Sequence, residues 1–261
     1  MDDVLPPPAG RVYLIGAGPG AADLITVRGL RLLRSADVVC YDALGCDGLL
    51  VEAKPGAEMV HVGKRGYCVG STRQEAIHDL MVDRARRGLT VVRLKGGDPC
   101  VFGRGGEEAE HLAANGVACE IVPGVTTAVG ACAAAGIPLT HRDSGQAVAL
   151  VTGHHDPDGP DCTLDWAALA AMSNLVVYMG LRHLGRIAAK LSESGLSPAT
   201  PAAVIENATR PHQRVIDGTL ADIALLAAAA GVQAPAIFVV GDCVRHRHTL
   251  LAAVTVSEPL P

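Results

Sequence analysis

The sequence predicts an α/β protein built as two mixed α/β lobes with an active-site cleft between them. Three observations carry this. Short β-rich runs alternate with segments of helical spacing through most of the 261 residues. Glycine-rich loops recur at the ends of successive strand runs. Pro123-Gly124 then interrupts the alternation, which resumes beyond it, so the lobes are expected at 11–122 and 123–244, with a tail over 245–261.

The first lobe reads as five strands: Arg11–Gly16, Asp37–Tyr41, Glu58–Val62, Leu89–Leu94 and Val117–Val122. Between them, Thr26–Arg34 places Val27, Leu30 and Leu33 opposite Arg28, Arg31 and Arg34, which is helical spacing. Ser71–Arg87 opens with Thr72-x-x-Glu75, a capping-box pattern. Gly105–Asn115 carries an acidic run in its first turn, where the helix dipole favours negative charge. In the second lobe strands are expected at Gln146–Val151, Asn174–Met179, Ala202–Glu206 and Ala236–Val240. Helices are expected near Thr126–Ala135, Trp166–Met172, His183–Glu193 and Thr219–Ala230. Asp217-Gly218 reads as a two-residue hairpin turn that adds an antiparallel element, and the segment after Cys243 reads as a surface extension.

Composition limits the function. Hydrophobic residues make up 49% and charged residues 19%, enough apolar material for a core. A formal net charge of −5 and an aromatic share of 3% argue against a nucleic-acid partner, which needs a basic face and stacking side chains. No apolar run reaches the roughly 18 residues of a membrane helix. The eight cysteines form no C-x-x-C and mostly sit in apolar runs, so reduced, buried thiols and a cytoplasmic location are expected. No metal site is expected: His154-His155 with DPDGPD fits neither zinc nor EF-hand spacing, and RHRH at 245–248 is too short.

The stretch YLIGAGPGAADLIT, Tyr13 to Thr26, fits the dinucleotide pattern G-x-G-x-x-[GA] with Gly16, Gly18 and Ala21. Two features oppose that reading. Helical spacing begins only at Thr26, six residues after Gly20, whereas a pyrophosphate loop runs straight into a helix. Pro19 also removes a backbone N–H from a loop that would need several. Asp42 nevertheless stands where a ribose-binding acid would, so counting alone leaves open a nucleotide-dependent oxidoreductase, and also a turn with no ligand.

Two further loops narrow the choice. LKGGDPCVFGRGGEE, Leu94 to Glu108, follows a strand end, where open α/β sheets bind ligands. Its glycines let a ligand lie against backbone, and Arg104 can grip an anion bidentately. PGVTTA, 123–128, sets Thr126 and Thr127 at a helix start.

Taken in order, VYLIGAGPG, ADVVCYD, VGKR, RLKGGDP with FGRGGEE, PGVTTA, GIPLTHRD, VVYMG and ENATRPHQRV closely resemble the tetrapyrrole methylase family. The resemblance runs from Val12 to about Val244. The first motif is shared across the whole family, while VGKR, FGRGGEEAE, GIPLTHRD and ENATRPHQR are narrower and match its uroporphyrinogen-III C-methyltransferase branch. Another precorrin C-methyltransferase is the near alternative.

The resemblance implies the tetrapyrrole methylase fold and S-adenosylmethionine as methyl donor, released as S-adenosylhomocysteine. It implies cofactor contacts at Pro19, Gly96, Gly97, Asp98, Val101, Thr126, Thr127, Met179 and Ala208. It places acid–base roles on Asp42 and Lys64, for methylation of uroporphyrinogen III at C2 and then C7 to precorrin-2 by way of precorrin-1. The octacarboxylate substrate needs cations, expected from Arg104, Arg65 and Arg142, with Arg210 and Arg214 also in motif loops. A homodimer and a place in cobalamin or sirohaem synthesis are also implied. Three positions depart from the family pattern: Ala43 where arginine is common, Cys100 where an aromatic is usual, and Ser144-Gly145 in place of a bulkier pair. These bear on substrate affinity and methylation order.

Overall fold

The computed structural model describes residues 10–42, 47–63 and 74–253. The chain divides into two compact units, Met1–Thr127 and Ala128–Pro261.

The first unit runs β1 (Arg11–Gly16), α1 (Val27–Leu33), β2 (Val38–Tyr41), α2 (Asp47–Leu50), β3 (Glu58–His61), α3 (Gln74–Arg86), β4 (Thr90–Lys95), α4 (Gly105–Ala114) and β5 (Ala118–Val122). Its sheet has the order β3-β2-β4-β1-β5, with every pairing parallel. Strands covered on both faces need apolar residues at every position, which is why VVC and TVV run unbroken. Successive side chains then go to opposite layers. Val12, Leu14, Cys40 and Val91 pack with Ile77 and Met81 of α3 and Leu112 of α4. Ile15, Val39, Val92 and Leu94 pack with Leu33 of α1 and Leu49 of α2. Leu14 and Leu94 are fully buried, so truncating either to alanine costs about 2–5 kcal/mol.

α1 starts where its spacing predicts. The Thr26 hydroxyl accepts from the Gly29 amide at 3.1 Å and caps it. A 3₁₀ turn over Ala22–Leu24 separates the cap from the glycine cluster. The cluster therefore opens no helix, and the dinucleotide reading lacks the helix N-terminus it requires.

The second unit contains the body of α5 (Thr127–Ala134), then β6 (Val148–Thr152), α6 (Trp166–Ala170), β7 (Asn174–Tyr178), α7 (Leu184–Glu193), β8 (Pro201–Glu206), β9 (Arg214–Thr219), α8 (Ile223–Ala229), β10 (Ala236–Gly241) and α9 (Arg247–Ala253). The order is β6-β7-β10-β8-β9; only β6 and β7 pair in parallel. One face packs Val177, Val204 and Phe238 on Trp166, Ile187, Leu191 and Ile223. The other packs Val176, Ile205 and Val239 on Ala128, Ala131 and Cys132 of α5. The alanines of α5 allow helix and sheet to approach where bulkier residues would not fit.

One expectation fails here. Asp217-Gly218 is no turn: both residues pair within β9, opposite Ala203 and Ala202. The reversal between β8 and β9 is made instead by 207–213, with Asn207 and Thr209 at positive φ. The Asp217 carboxylate holds Arg247 at 3.3 Å and His248 at 3.1 Å. That contact also ties down the start of α9. Asp242–His246 form a 3₁₀ turn leading into α9, Cys243 and Val244 belong to the core, and the His246 ring stacks on His141. α9 itself has no buried residue and lies at the surface.

Candidate active site

β4, β1 and β5 are neighbours and parallel, so the loops that follow them leave one edge of the first sheet together. The loops bind one another through backbone. Gly18 and Gly97 exchange two hydrogen bonds, Gly18 N to Gly97 O at 3.2 Å and Gly97 N to Gly18 O at 2.7 Å. The Ala17 amide donates to Lys95 O at 2.7 Å. A Cβ on Gly16 would stand 2.6 Å from Gly124 Cα, so close approach explains glycine at both positions.

The Asp98 carboxylate ties the remaining ends. Its Oδ1 accepts from the Cys100 amide at 2.8 Å and its Oδ2 from the Gly124 amide at 3.0 Å. Gly97 sits at φ 68°, and a Cβ there would come within 3.3 Å of Thr127 Oγ1. Gly96, Gly97, Asp98, Thr126 and Thr127 are therefore gathered in this unit, with Pro19 half-buried on the first loop. Val101 follows on the second loop, where Phe102 and Arg104 hold φ of 53° and 59°. Such conformations cost non-glycine residues about 1–3 kcal/mol each and persist only where neighbours enforce them. Here the Gly105 amide enforces the bend by donating to Pro99 O at 2.8 Å.

Asp42 follows β2 at the same sheet edge. Its Oδ2 lies 3.4 Å from Nη2 of Arg93, a β4 residue buried at 5% exposure. Arg93 Nε in turn reaches Glu108 Oε1 at 3.4 Å, and Lys95 Nζ donates to the same oxygen at 2.8 Å. Gln74 Nε2 donates to it at 3.1 Å. Glu108 is fully buried, and its Oε2 has no hydrogen-bond partner among the described residues. Burial, then the Arg93 charge, push the Lys95 ammonium below its ordinary range, while Glu108 pulls it back. Removing one partner of such a cluster costs about 3–5 kcal/mol because a buried charge is stranded.

In the second unit, Met179 follows β7 at φ 55° and is half exposed. The preceding Tyr178 hydroxyl accepts from the Ala128 amide at 2.9 Å, joining the β7 end to the start of α5. Ala208 is buried in the loop after β8. That loop is held by the Thr209 amide donating to Gln213 Oε1 at 2.6 Å and by Gln213 Nε2 reaching Ala134 O at 3.2 Å.

The expected cations differ in what the structure assigns them. Lys64 and Arg65 lie outside the described residues. Arg104 is exposed beside Glu107, its Nε 3.2 Å from Oε1. Arg142 is exposed and lines an open pocket with Thr140, His141, Gly145 and Gln146. Arg214 is engaged elsewhere, bonded to the buried Glu206 carboxylate at 2.5 Å and to Ala230 O at 2.9 Å. It braces β9 against the end of α8 and is no free carboxylate clamp.

Residues 11–224 match the family described as Tetrapyrrole (Corrin/Porphyrin) Methylases. The chain belongs to this family. This tetrapyrrole methylase is 49% identical over 244 residues to the S-adenosyl-L-methionine-dependent uroporphyrinogen III methyltransferase of Methanosarcina barkeri, covering 93% of the chain and 94% of that protein. It is 52% identical to the siroheme synthase of Neisseria meningitidis over 90% of its own length but 48% of that protein's, so it spans about half of such relatives. Among solved structures it resembles uroporphyrin-III C-methyl transferase from Thermus thermophilus complexed with S-adenyl homocysteine. That match has a TM-score of 0.75 and 42% identity, covering 90% of this chain and 99% of that one. Cobalt precorrin-4 methyltransferase matches with a TM-score of 0.80 and 33% identity, over 90% of this chain and 95% of that one.

Motif reading missed Arg93, Lys95, Glu108 and Tyr178 in this methylase. Two signals were present: Arg93 and Lys95 share one face of an otherwise apolar central strand, and Glu108 falls on the inward side of α4. The described residues include no group of three or more histidine, cysteine, aspartate or glutamate side chains able to hold a metal. None of their helices is long and apolar enough to cross a membrane.

Proposed function

We propose that this chain transfers methyl groups from S-adenosylmethionine to carbon atoms of uroporphyrinogen III, at C2 and then C7, giving precorrin-2 by way of precorrin-1. The observation that carries the reading is the backbone-lined edge where Gly16, Gly97 and Gly124 meet, with Asp42 at the same edge. A side chain at Gly16 or Gly124 would collide with the backbone of the adjoining loop and force the loops apart. Such a surface suits an uncharged adenosine-like group, which needs apolar contact and a few placed polar atoms.

The residues present fit S-adenosylmethionine. Pro19, Gly96, Gly97, Asp98, Val101, Thr126 and Thr127 would hold it, with Met179 and Ala208 as further contact positions by family resemblance. When bound, it supplies an electrophilic methyl group. The nucleophile is a pyrrole carbon of the substrate, so no side chain needs to form a covalent bond, and the protein acts mainly by positioning. Asp42 accepts the proton released when conjugation is restored, and Lys64 donates a proton or neutralises a substrate carboxylate. Arg104, Arg65 and Arg142 bind carboxylates. A homodimer in the cytoplasm and a product used for cobalamin or sirohaem complete the reading.

Anaerobic incubation with methyl-labelled S-adenosylmethionine and uroporphyrinogen III tests it. Label is expected in the tetrapyrrole fraction. Label left wholly on the donor, with the same substrate accepted by an authentic methylase, contradicts it.

A further inference from the structure

We infer that Arg93 is the positioning residue for the Asp42 carboxylate, and that Glu108 is the buried anchor that holds Arg93. This rests on the reading of Asp42 as the proton acceptor and adds how the protein aims it.

Arg93 stands in the centre of the parallel sheet, where its Cα partner on β2 is Cys40, two residues before Asp42. Nε and Nη1 of the guanidinium are both engaged. Nη1 donates to Leu94 O at 3.0 Å and Cys40 O at 3.5 Å, and Nε points to Glu108 Oε1 at 3.4 Å. What remains is Nη2, and it faces Asp42 at 3.4 Å. The planar fork fixes these directions relative to one another, so orienting Nε and Nη1 also orients Nη2.

Charge argues the same way. Glu108 already has a close cation in Lys95 at 2.8 Å. Arg93 is a second buried cation, and burying it requires a second carboxylate. Asp42 is that carboxylate, partly exposed at the strand end while Arg93 and Glu108 behind it are sealed. A reacting group at the surface of the sheet edge, backed by a rigid charged pair in the core, is the arrangement that fixes a side chain's direction without occupying the space in front of it.

The test is a double-mutant cycle on the full chain, with rates taken from single turnovers and normalised to S-adenosylmethionine-binding sites. Arg93→Lys keeps the buried charge and removes the fork; Arg93→Met removes both. If Arg93→Met yields too little folded protein, the cycle is completed with Arg93→Lys alone. Either variant is expected to lower kcat about tenfold or more, the size of one charge-assisted hydrogen bond, with donor affinity and KM within about twofold of the parent. In an Asp42→Asn background the Arg93 substitution is expected to have no further effect. Multiplying effects in the double variant, or loss of donor affinity in step with kcat, would overturn the inference and reduce Arg93 to a structural ion. Impaired Asp42→Asn with an unaffected Arg93→Lys overturns it alone. Full activity in Asp42→Asn overturns the underlying reading of Asp42, and this inference with it.

Discussion

Asp98 Oδ2 accepts a hydrogen bond from the Gly124 amide at 3.0 Å, fastening the loop after β4 to the loop after β5. With Oδ1 taken by the Cys100 amide, the carboxylate acts as a clasp for the backbone surface.

Asp98→Ala is therefore expected to release both loops. Two amides lose their acceptor, at about 1–3 kcal/mol for each that stays buried. Donor affinity measured by titration calorimetry is expected to fall tenfold or more, a drop of about 1.4 kcal/mol or greater. Asp98→Asn, which keeps a carbonyl oxygen, is expected to lose less. Equal affinity in all three proteins would refute the clasp.

Tyr178→Phe removes the acceptor for the Ala128 amide and little else in volume. The expected loss of stability is about 1 kcal/mol, read as a lower midpoint in urea unfolding. Because the contact fixes the start of α5, next to Thr127, KM for the donor is expected to rise several-fold while kcat holds. A fall in kcat with KM unchanged would assign Tyr178 a different role.

Stability should depend on pH through Glu206. Hydrogen bonding to Arg214, with support from the Gln233 amide, holds its carboxyl below the ordinary glutamate range. The folded state thus favours the ionised form. The stability this adds is present above the ordinary range and is lost as pH falls through that range to the lowered folded value. Glu206→Gln is expected to show a smaller drop in Tm between neutral and mildly acidic buffer than the parent. An identical drop in both would show that other carboxylates set the acid limit.

Thiol reactivity should separate Cys100 from the core cysteines. Burial pushes Cys40, Cys132 and Cys243 up to about 12 and Cys119 up to about 11. Their thiolates are scarce near pH 8, and the first three are also inaccessible. Cys100 is exposed on the loop after β4. Peptide mapping after brief iodoacetamide treatment is expected to find Cys100 modified and those four spared. S-adenosylhomocysteine is expected to slow Cys100 labelling; a rate unchanged by ligand would place the donor away from this loop.

Much of this architecture was legible because parallel strands need unbroken apolar runs and helices need their own spacing. VVC and the helical spacing over Thr26–Arg34 followed from those demands alone. Asp217-Gly218 misled because turn propensity is local, while pairing with β8 and the grip on Arg247 are not. Arg214 looked like a free cation for a similar reason: its partner Glu206 lies on another strand. The buried Arg93–Glu108–Lys95 group was hidden by the same long range, since thirteen residues or more separate Glu108 from the two cations. In the second unit, Met179 and Ala208 are assigned by resemblance alone. Their motifs contain no residue type that points to a ligand, and the positive φ of Met179 and of Asn207 and Thr209 on either side of Ala208 emerges only in three dimensions. Lys64, Arg65 and Thr72 lie outside the described residues.

The most direct measurement is the mass of the tetrapyrrole after anaerobic incubation of the protein with uroporphyrinogen III and excess S-adenosylmethionine. The proposed function predicts two added methyl groups, with a one-methyl species appearing first and then declining. A tetrapyrrole of unchanged mass, under conditions where an authentic methylase converts the same substrate, would contradict it.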